Sequence, residues 1–282
     1  MLRSARLLLA FCYLGLTSPL SFAAPSEAVP QSRSTAAPAG PPAIPAPSSP
    51  AFAPDTVDPN AVEALLAMGR YLRTLQTFIV TGDSATEAVL DNGQNATFLH
   101  RTVVQVRRPD RVRAEIVGSA KPRGLVYNGK TFTLYDNNRR YYTVQSAPPT
   151  IDELVPVLRD QYGVEMPLAD LFNWGLESDD ARRLTAATSL GLERVNGKLC
   201  RHYVFRQPGL DWELWLQGTQ QLLPCRLSIT DVTQPSRPTF SVAYRWNLRP
   251  GLNAVTFSYR PVAGMREIGA MRVSPEPYKE AK

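Results

Sequence analysis

Phe240-Ser241-Val242-Ala243-Tyr244-Arg245-Trp246-Asn247-Leu248 is the stretch that decides the fold. Every second side chain is large and apolar, and those between are small or polar, which is the pattern of a strand with one buried face. Noisier versions of the same period run through 75–82, 95–107, 111–118, 124–128, 131–136, 140–145, 187–195, 198–206, 211–217, 222–230 and 254–259. The links are short. Asp91-Asn92-Gly93, Asn128-Gly129, Asn137-Asn138 and Asn196-Gly197 supply residues that tolerate positive φ in tight hairpins, so neighbouring strands are predicted to pair antiparallel. Strands do not alternate with helices, which excludes a doubly wound parallel sheet.

Two segments break the period. Asp58-Pro59 reads as an N-cap followed by proline at the first helical position, and Val62, Leu65, Leu66, Gly69 and Leu72 follow at helical spacing. In the second, 148–174, Thr150 with Glu153 makes a capping box and Gly163 stands where a helix would end. Pro156 predicts a kink or restart, and Pro167 opens a short second piece through Leu168, Leu171 and Phe172.

Laid flat, eleven or twelve strands about 4.8 Å apart span roughly 50 Å, whereas a helix with its side chains covers about 10–12 Å. Two helical segments therefore cannot shelter the apolar face unless the sheet curls around them. The expected fold is mainly β (α+β): a curved antiparallel sheet of about eleven strands forming an incomplete barrel, the N-terminal helix and central helical segment covering its concave face. Phe240, Val242, Tyr244, Trp246, Trp212, Leu214, Leu65 and Phe172 are the candidate ligand-binding side chains of that face. The same apolar stripes would serve equally as a filled core, and period alone does not separate the two.

The ends set the compartment. Residues 1–23 carry Arg3 and Arg6, an apolar run from Leu7 to Leu16 and a small-x-small site at Ser21-Phe22-Ala23, the form of a cleavable secretory signal. Cys12 lies inside the apolar run after Phe11, which argues against lipid anchoring there. Residues 24–57, rich in Pro, Ala and Ser, read as a disordered tether, 58–268 as the folded domain and 269–282 as a flexible tail. An exported location permits a disulfide between Cys200 and Cys225. However, a three-strand meander would put them at one end of strands separated by a third, roughly 10 Å apart, against the limit of about 7 Å between bridged Cα atoms.

The formal net charge of +6 is diffuse. The basic run Arg107 to Arg113 is interrupted by Asp110, so nucleic acid is not the expected partner. The histidines, His100 and His202, both sit in strand patterns and read as partners to hydroxyls or carboxylates rather than catalysts. His202 shares a face with Cys200, but two residues along a strand is too far for a nucleophile–base hydrogen bond. Glu193, Asp211 and Glu213 read as solvated acids. With no metal spacing, phosphate loop or dinucleotide fingerprint, neither metal nor cofactor is implied, and the chain is not expected to be an enzyme. Asn95-Ala96-Thr97 matches a glycosylation acceptor, relevant only in a host that glycosylates.

Two runs carry a resemblance: Val106-Arg107-Arg108-Pro109-Asp110-Arg111-Val112-Arg113-Ala114-Glu115, and Tyr127-Asn128-Gly129-Lys130-Thr131-Phe132-Thr133-Leu134-Tyr135-Asp136. Together with Pro148-Pro149-Thr150-Ile151-Asp152-Glu153, Pro167-Leu168-Ala169-Asp170-Leu171 and Asp211-Trp212-Glu213-Leu214-Trp215, they resemble a family of predicted periplasmic proteins built on a domain of unknown function. Arg108-Pro109, Asn128-Gly129-Lys130 and Phe257-Ser258-Tyr259-Arg260-Pro261-Val262-Ala263-Gly264 are more distantly similar to the lipoprotein carriers of the LolA and LolB kind. The last run departs from that pattern by an inserted residue and a lost proline. The resemblance implies an incomplete barrel whose helices cover a cavity for acyl chains, and it assigns Arg108 the place of an arginine that helps hold the helical lid closed. An ordinary strand-end charge is the alternative for Arg108. The expected function is a non-enzymatic periplasmic binding or carrier protein for a lipid, lipoprotein acyl chain or similar apolar ligand. The alternative is an envelope sensor or adaptor that binds another protein.

Overall fold

The computed structural model describes residues 56–117, 122–174, 179–218 and 221–270. The expected signal, nearly all of the tether and all but the start of the tail lie outside the described residues.

Helix α1 (Pro59–Thr74) begins where the Asp58 side chain accepts a hydrogen bond from the Asn60 N–H at 2.8 Å, and it buries Ala61, Leu65, Met68 and Leu72 on one face. The strands then form two meanders. The first comprises β1 (Thr77–Val89), β2 (Asn95–Arg107), β3 (Arg111–Val117), β4 (Arg123–Tyr127), β5 (Thr131–Asp136) and β6 (Tyr141–Ser146); the second comprises β7 (Ala186–Val195), β8 (Lys198–Gln207), β9 (Leu210–Gln217), β10 (Pro224–Asp231) and β11 (Thr239–Asn247). The pairing of β1 with β11 joins them, and with β12 (Arg266–Glu267) beside β6 they make one open twelve-stranded sheet, ordered β12-β6-β5-β4-β3-β2-β1-β11-β10-β9-β8-β7. Between these strands every pairing is antiparallel except the two-residue contact of β12 with β6; an isolated parallel bridge also joins Val57 to Ala187 of β7. The outer strands do not meet, so the sheet curves without closing into a barrel.

This order explains why the middle of the chain is helical. The chain leaves β6 near one edge and must enter β7 at the other, and it makes that crossing over the concave face. Helix α2 (Ile151–Tyr162) starts at Thr150, whose hydroxyl accepts from the Glu153 N–H, and ends at Gly163 in the left-handed region (φ 62°). Two single turns, α3 (Asp170–Asn173) and α4 (Asp179–Arg182), follow. The buried side chains of α1 and α2, with Leu171 and Phe172, join the inward residues of both meanders in one core.

Several sequence expectations are corrected. The segment 254–259 is not a strand: Asn253 and Thr256 cap each other reciprocally, and residues Ala254–Phe257 close into a 3-10 turn packed against β3. Of the kink or restart expected at Pro156, the restart does not occur: α2 runs unbroken over Ile151–Tyr162, because Ile151, Leu154, Val155 and Leu158 are all anchored in the core and a single missing backbone hydrogen bond does not outweigh their burial. At the turn after β5 the positive φ falls on Arg140 (59°), not on Asn137 or Asn138, because Asp136 accepts from the N–H groups of Asn138 and Arg139 and fixes the turn one step later. Finally, Cys200 and Cys225 are bridged, with Cα atoms 6.7 Å apart. The β9–β10 register shifts between Pro224 and Arg226, which leaves Cys225 as the extra residue of a bulge that bends toward β8. A regular ladder would have kept the pair apart.

Candidate functional site

The helices cover only one end of the concave face. On β1, Phe78 and Val80 are buried in the core, whereas Ser84 and Thr86, further along the same inward row, line a cavity. Between them, Gly82 allows a close approach: a Cβ there would lie 2.8 Å from Val242 Cγ2 and 3.3 Å from Leu168 Cδ1. Leu168 is thus seated on the sheet, held at φ 57°, a conformation non-glycine residues seldom adopt without such constraint.

The segment 164–169, which leaves α2 through a Val164 N–H to Leu158 carbonyl bond of 2.9 Å, roofs two adjoining cavities. The smaller, about 80 Å³, lies against Ser84, Thr86, His100, Thr102, Phe240 and Tyr244. The larger, about 360 Å³, lies over β3 to β6 and is lined by Ile116, Leu125, Leu134, Val164, Met166 and Ile268, with Asp136, Arg139 and Tyr141 also contributing. Ile116, Arg123, Glu165, Met166 and Pro167 border both, so the two form neighbouring compartments of one groove.

Glu165 is the unusual wall residue. It is 9 % exposed, and its Oε1 has no hydrogen-bond partner. Burial pushes its carboxyl above the ordinary range, opposed by the charge of Arg159. Burial likewise depresses His100, helped by the charge of Arg123, which favours a neutral imidazole.

Arg108 ties the sheet to the covering segment. Its Nη1 lies 3.1 Å from Asp152 Oδ1 in the first turn of α2, its guanidinium carbon is 5.5 Å from the centroid of Phe172, and its side chain is 11 % exposed. Beside it, the Ile151 N–H donates to the Pro109 carbonyl at 2.8 Å. The Tyr127 hydroxyl donates to the Pro148 carbonyl at 2.6 Å, and burial, reinforced by Asp110, pushes its pKa up to about 12. The entry to α2 is therefore pinned at three adjacent points.

Of the sequence candidates, Phe240 and Tyr244 line the smaller cavity. Val242, Leu214, Leu65 and Phe172 are buried within the core, as is Trp212, stacked on Phe205 at 4.1 Å. Trp246 packs on Phe78 and donates its ring N–H to the Pro224 carbonyl. Sequence reasoning did not single out Ile116, Leu125, Leu134, Glu165 or Met166. For the strand residues, the signal was inward parity in β3 to β5; for Glu165, it was an acid embedded in the otherwise apolar run Val164 to Leu168.

His202 lies on the opposite face of β8 from the core residues Tyr203 and Phe205. Its Nδ1 is 3.0 Å from Glu193 Oε1, its Nε2 is 2.9 Å from Glu213 Oε2, and its ring stacks on Trp215 at 4.0 Å. Glu193 and Glu213 are thus histidine partners rather than merely solvated acids. A hydrogen bond from Trp215, then one from His202, holds the Glu193 carboxyl below its usual range. Cys200 is bridged and supplies no free thiol.

No described helix is long and apolar enough to cross a membrane. No curated protein matches the sequence. Among solved structures, the lipoprotein LppX of Mycobacterium tuberculosis is similar at 12 % identity and TM-score 0.42, over 68 % of this chain and 99 % of LppX. MucB is similar at 12 % identity and TM-score 0.44, over 72 % of this chain and 64 % of its own. A LolA superfamily protein of Nitrosomonas europaea is similar at 14 % and 0.33, over 71 % and 98 %. The family model described as "Predicted periplasmic protein (DUF2092)" matches residues 61–270, most of the chain, which therefore belongs to that family and has its place in the periplasm.

Proposed function

We propose that the protein is a non-enzymatic periplasmic binding or carrier protein, holding the apolar chain of a lipid or lipoprotein in the groove under residues 164–169. The observation that carries this reading is the larger cavity: about 360 Å³, within the range of small-molecule pockets and mostly apolar in its wall. At a liquid-water share of about 30 Å³, it has room for about a dozen water-sized groups. Burying about twelve methylenes is worth roughly 10 kcal/mol before the cost of immobilising the chain, enough for reversible capture and release. Arg108 acts as a latch in this reading, holding Asp152 and Phe172 of the covering segment against the sheet.

The test is binding of a neutral environment-sensitive dye, Nile red, and its displacement by twelve-carbon chains. Ile116→Trp, which places an indole where both compartments meet, is expected to abolish dye enhancement in a protein that still folds. A wild-type protein that neither brightens the dye nor takes up a chain, or an Ile116→Trp variant that binds as well as wild type, contradicts the reading.

A further inference from the structure

Glu165 is a costly residue to keep where it is. A buried acceptor without a donor carries its full desolvation penalty, and nothing in the groove wall offsets it for Oε1. It also sits at the junction of the two compartments, beside the apolar wall of the larger and the hydroxyl-bearing wall of Ser84, Thr86 and Thr102 in the smaller. At about 80 Å³ the smaller compartment holds only a few heavy atoms. A larger apolar space, a smaller one whose mostly apolar lining adds the hydroxyls of Ser84, Thr86 and Thr102, and an unsatisfied acceptor between them fit an apolar chain that ends in a small donor head.

Resting on the function proposed above, we propose that Glu165 is the head-group anchor of the site, and that the ligand is a single-chain amphiphile whose small uncharged head donates an O–H or N–H to Glu165 Oε1. Hydroxyl and amide heads meet this requirement. An ester head offers only acceptors, and a carboxylate head would set a second acidic oxygen against Glu165. Arg123 also borders both compartments and would favour an anionic head, but it already interacts within the protein, whereas Oε1 has no partner.

The experiment measures displacement of Nile red by 1-dodecanol, dodecanamide, methyl dodecanoate and dodecanoate, in wild type, Glu165→Gln and Glu165→Leu, with thermal unfolding to verify folding. One hydrogen bond to a buried carboxyl predicts that the alcohol and amide bind the wild type about tenfold tighter than the ester. Glu165→Leu brings the alcohol-to-ester ratio close to one. Glu165→Gln, which keeps a carbonyl acceptor, retains a preference for the alcohol. Equal binding of alcohol and ester to wild type, tightest binding of dodecanoate, or a preference that survives in Glu165→Leu overturns the assignment while leaving the apolar groove intact. Failure of all four chains to displace the dye overturns the proposed function along with it.

Discussion

Replacing Arg108 by Met tests whether the covering segment is latched to the sheet. Methionine keeps an unbranched apolar stem but removes the guanidinium, its 3.1 Å contact with Asp152 and its position over Phe172. Asp152 is 42 % exposed, so the ion pair contributes about 0.5–1 kcal/mol, and the ring contact adds about 0.5–1 kcal/mol. Against this, the Arg108 Nε is buried without a partner, and its removal returns about 1 kcal/mol. Global stability should therefore change by under about 1 kcal/mol, while the local hold on α2 weakens by about 1–2 kcal/mol, a factor of roughly 5–30 in its opening equilibrium. Amide hydrogen exchange separates the two. The Ile151 N–H, bonded to Pro109, and the Leu154 N–H, bonded to Thr150, should lose protection by that factor while amides of β8 and β9 do not. Dissociation of a bound dodecyl chain should speed up in parallel. Unchanged protection at Ile151 and Leu154, or an equal loss everywhere, refutes the latch.

The Cys200–Cys225 bridge closes a separation of 25 residues, for which loop-closure entropy predicts a loss of about 3.5 kcal/mol in the paired change to Ala, measured by urea unfolding. Gly82→Val should drive Val242 and Leu168 apart, cost about 1–3 kcal/mol, and reduce Nile red binding by lifting the roof segment; calorimetry and dye titration check both. Glu165 has a raised pKa in the folded state, so the native protein holds the proton more tightly than the unfolded chain. Its contribution to stability is full below about pH 4.5 and is lost as pH rises through the folded value, a decline that Glu165→Gln should flatten in thermal melts across pH. Asp83 behaves oppositely: hydrogen bonds from Arg101, then Arg245, lower its pKa, so its contribution is present above about pH 3.8 and lost as pH falls through the lowered folded value, and Asp83→Asn should blunt that acid loss.

The sheet was legible because its period-two signal is intrinsic to each strand. The run Phe240 to Leu248 places Val242 and Tyr244 in the core, with Arg245 pairing with Asp83 on the other face. The N-caps at Asp58 and Thr150 and the stop at Gly163 were legible for the same reason, since each depends on its immediate neighbours. What failed depended on distant geometry. The bulge at Cys225 is a property of the ladder between β9 and β10, and nothing in 222–230 alone announces it. Along the strongest apolar stripe Val242 is filled by the core while Phe240 and Tyr244 border the smaller cavity, and the open space extends where the inward row weakens to Ser84, Thr86, Thr102 and Ile116. Whether a stripe is covered depends on where the crossover from β6 to β7 runs, and that is settled by strand order.

Native mass spectrometry of the protein, isolated from periplasm without detergent and then offered a twelve-carbon alcohol, tests the central claim most directly. The account predicts either a co-purified acyl-bearing adduct or, once stripped, uptake of one chain per protein that Ile116→Trp prevents. A bare polypeptide mass that stays bare with excess alcohol contradicts it.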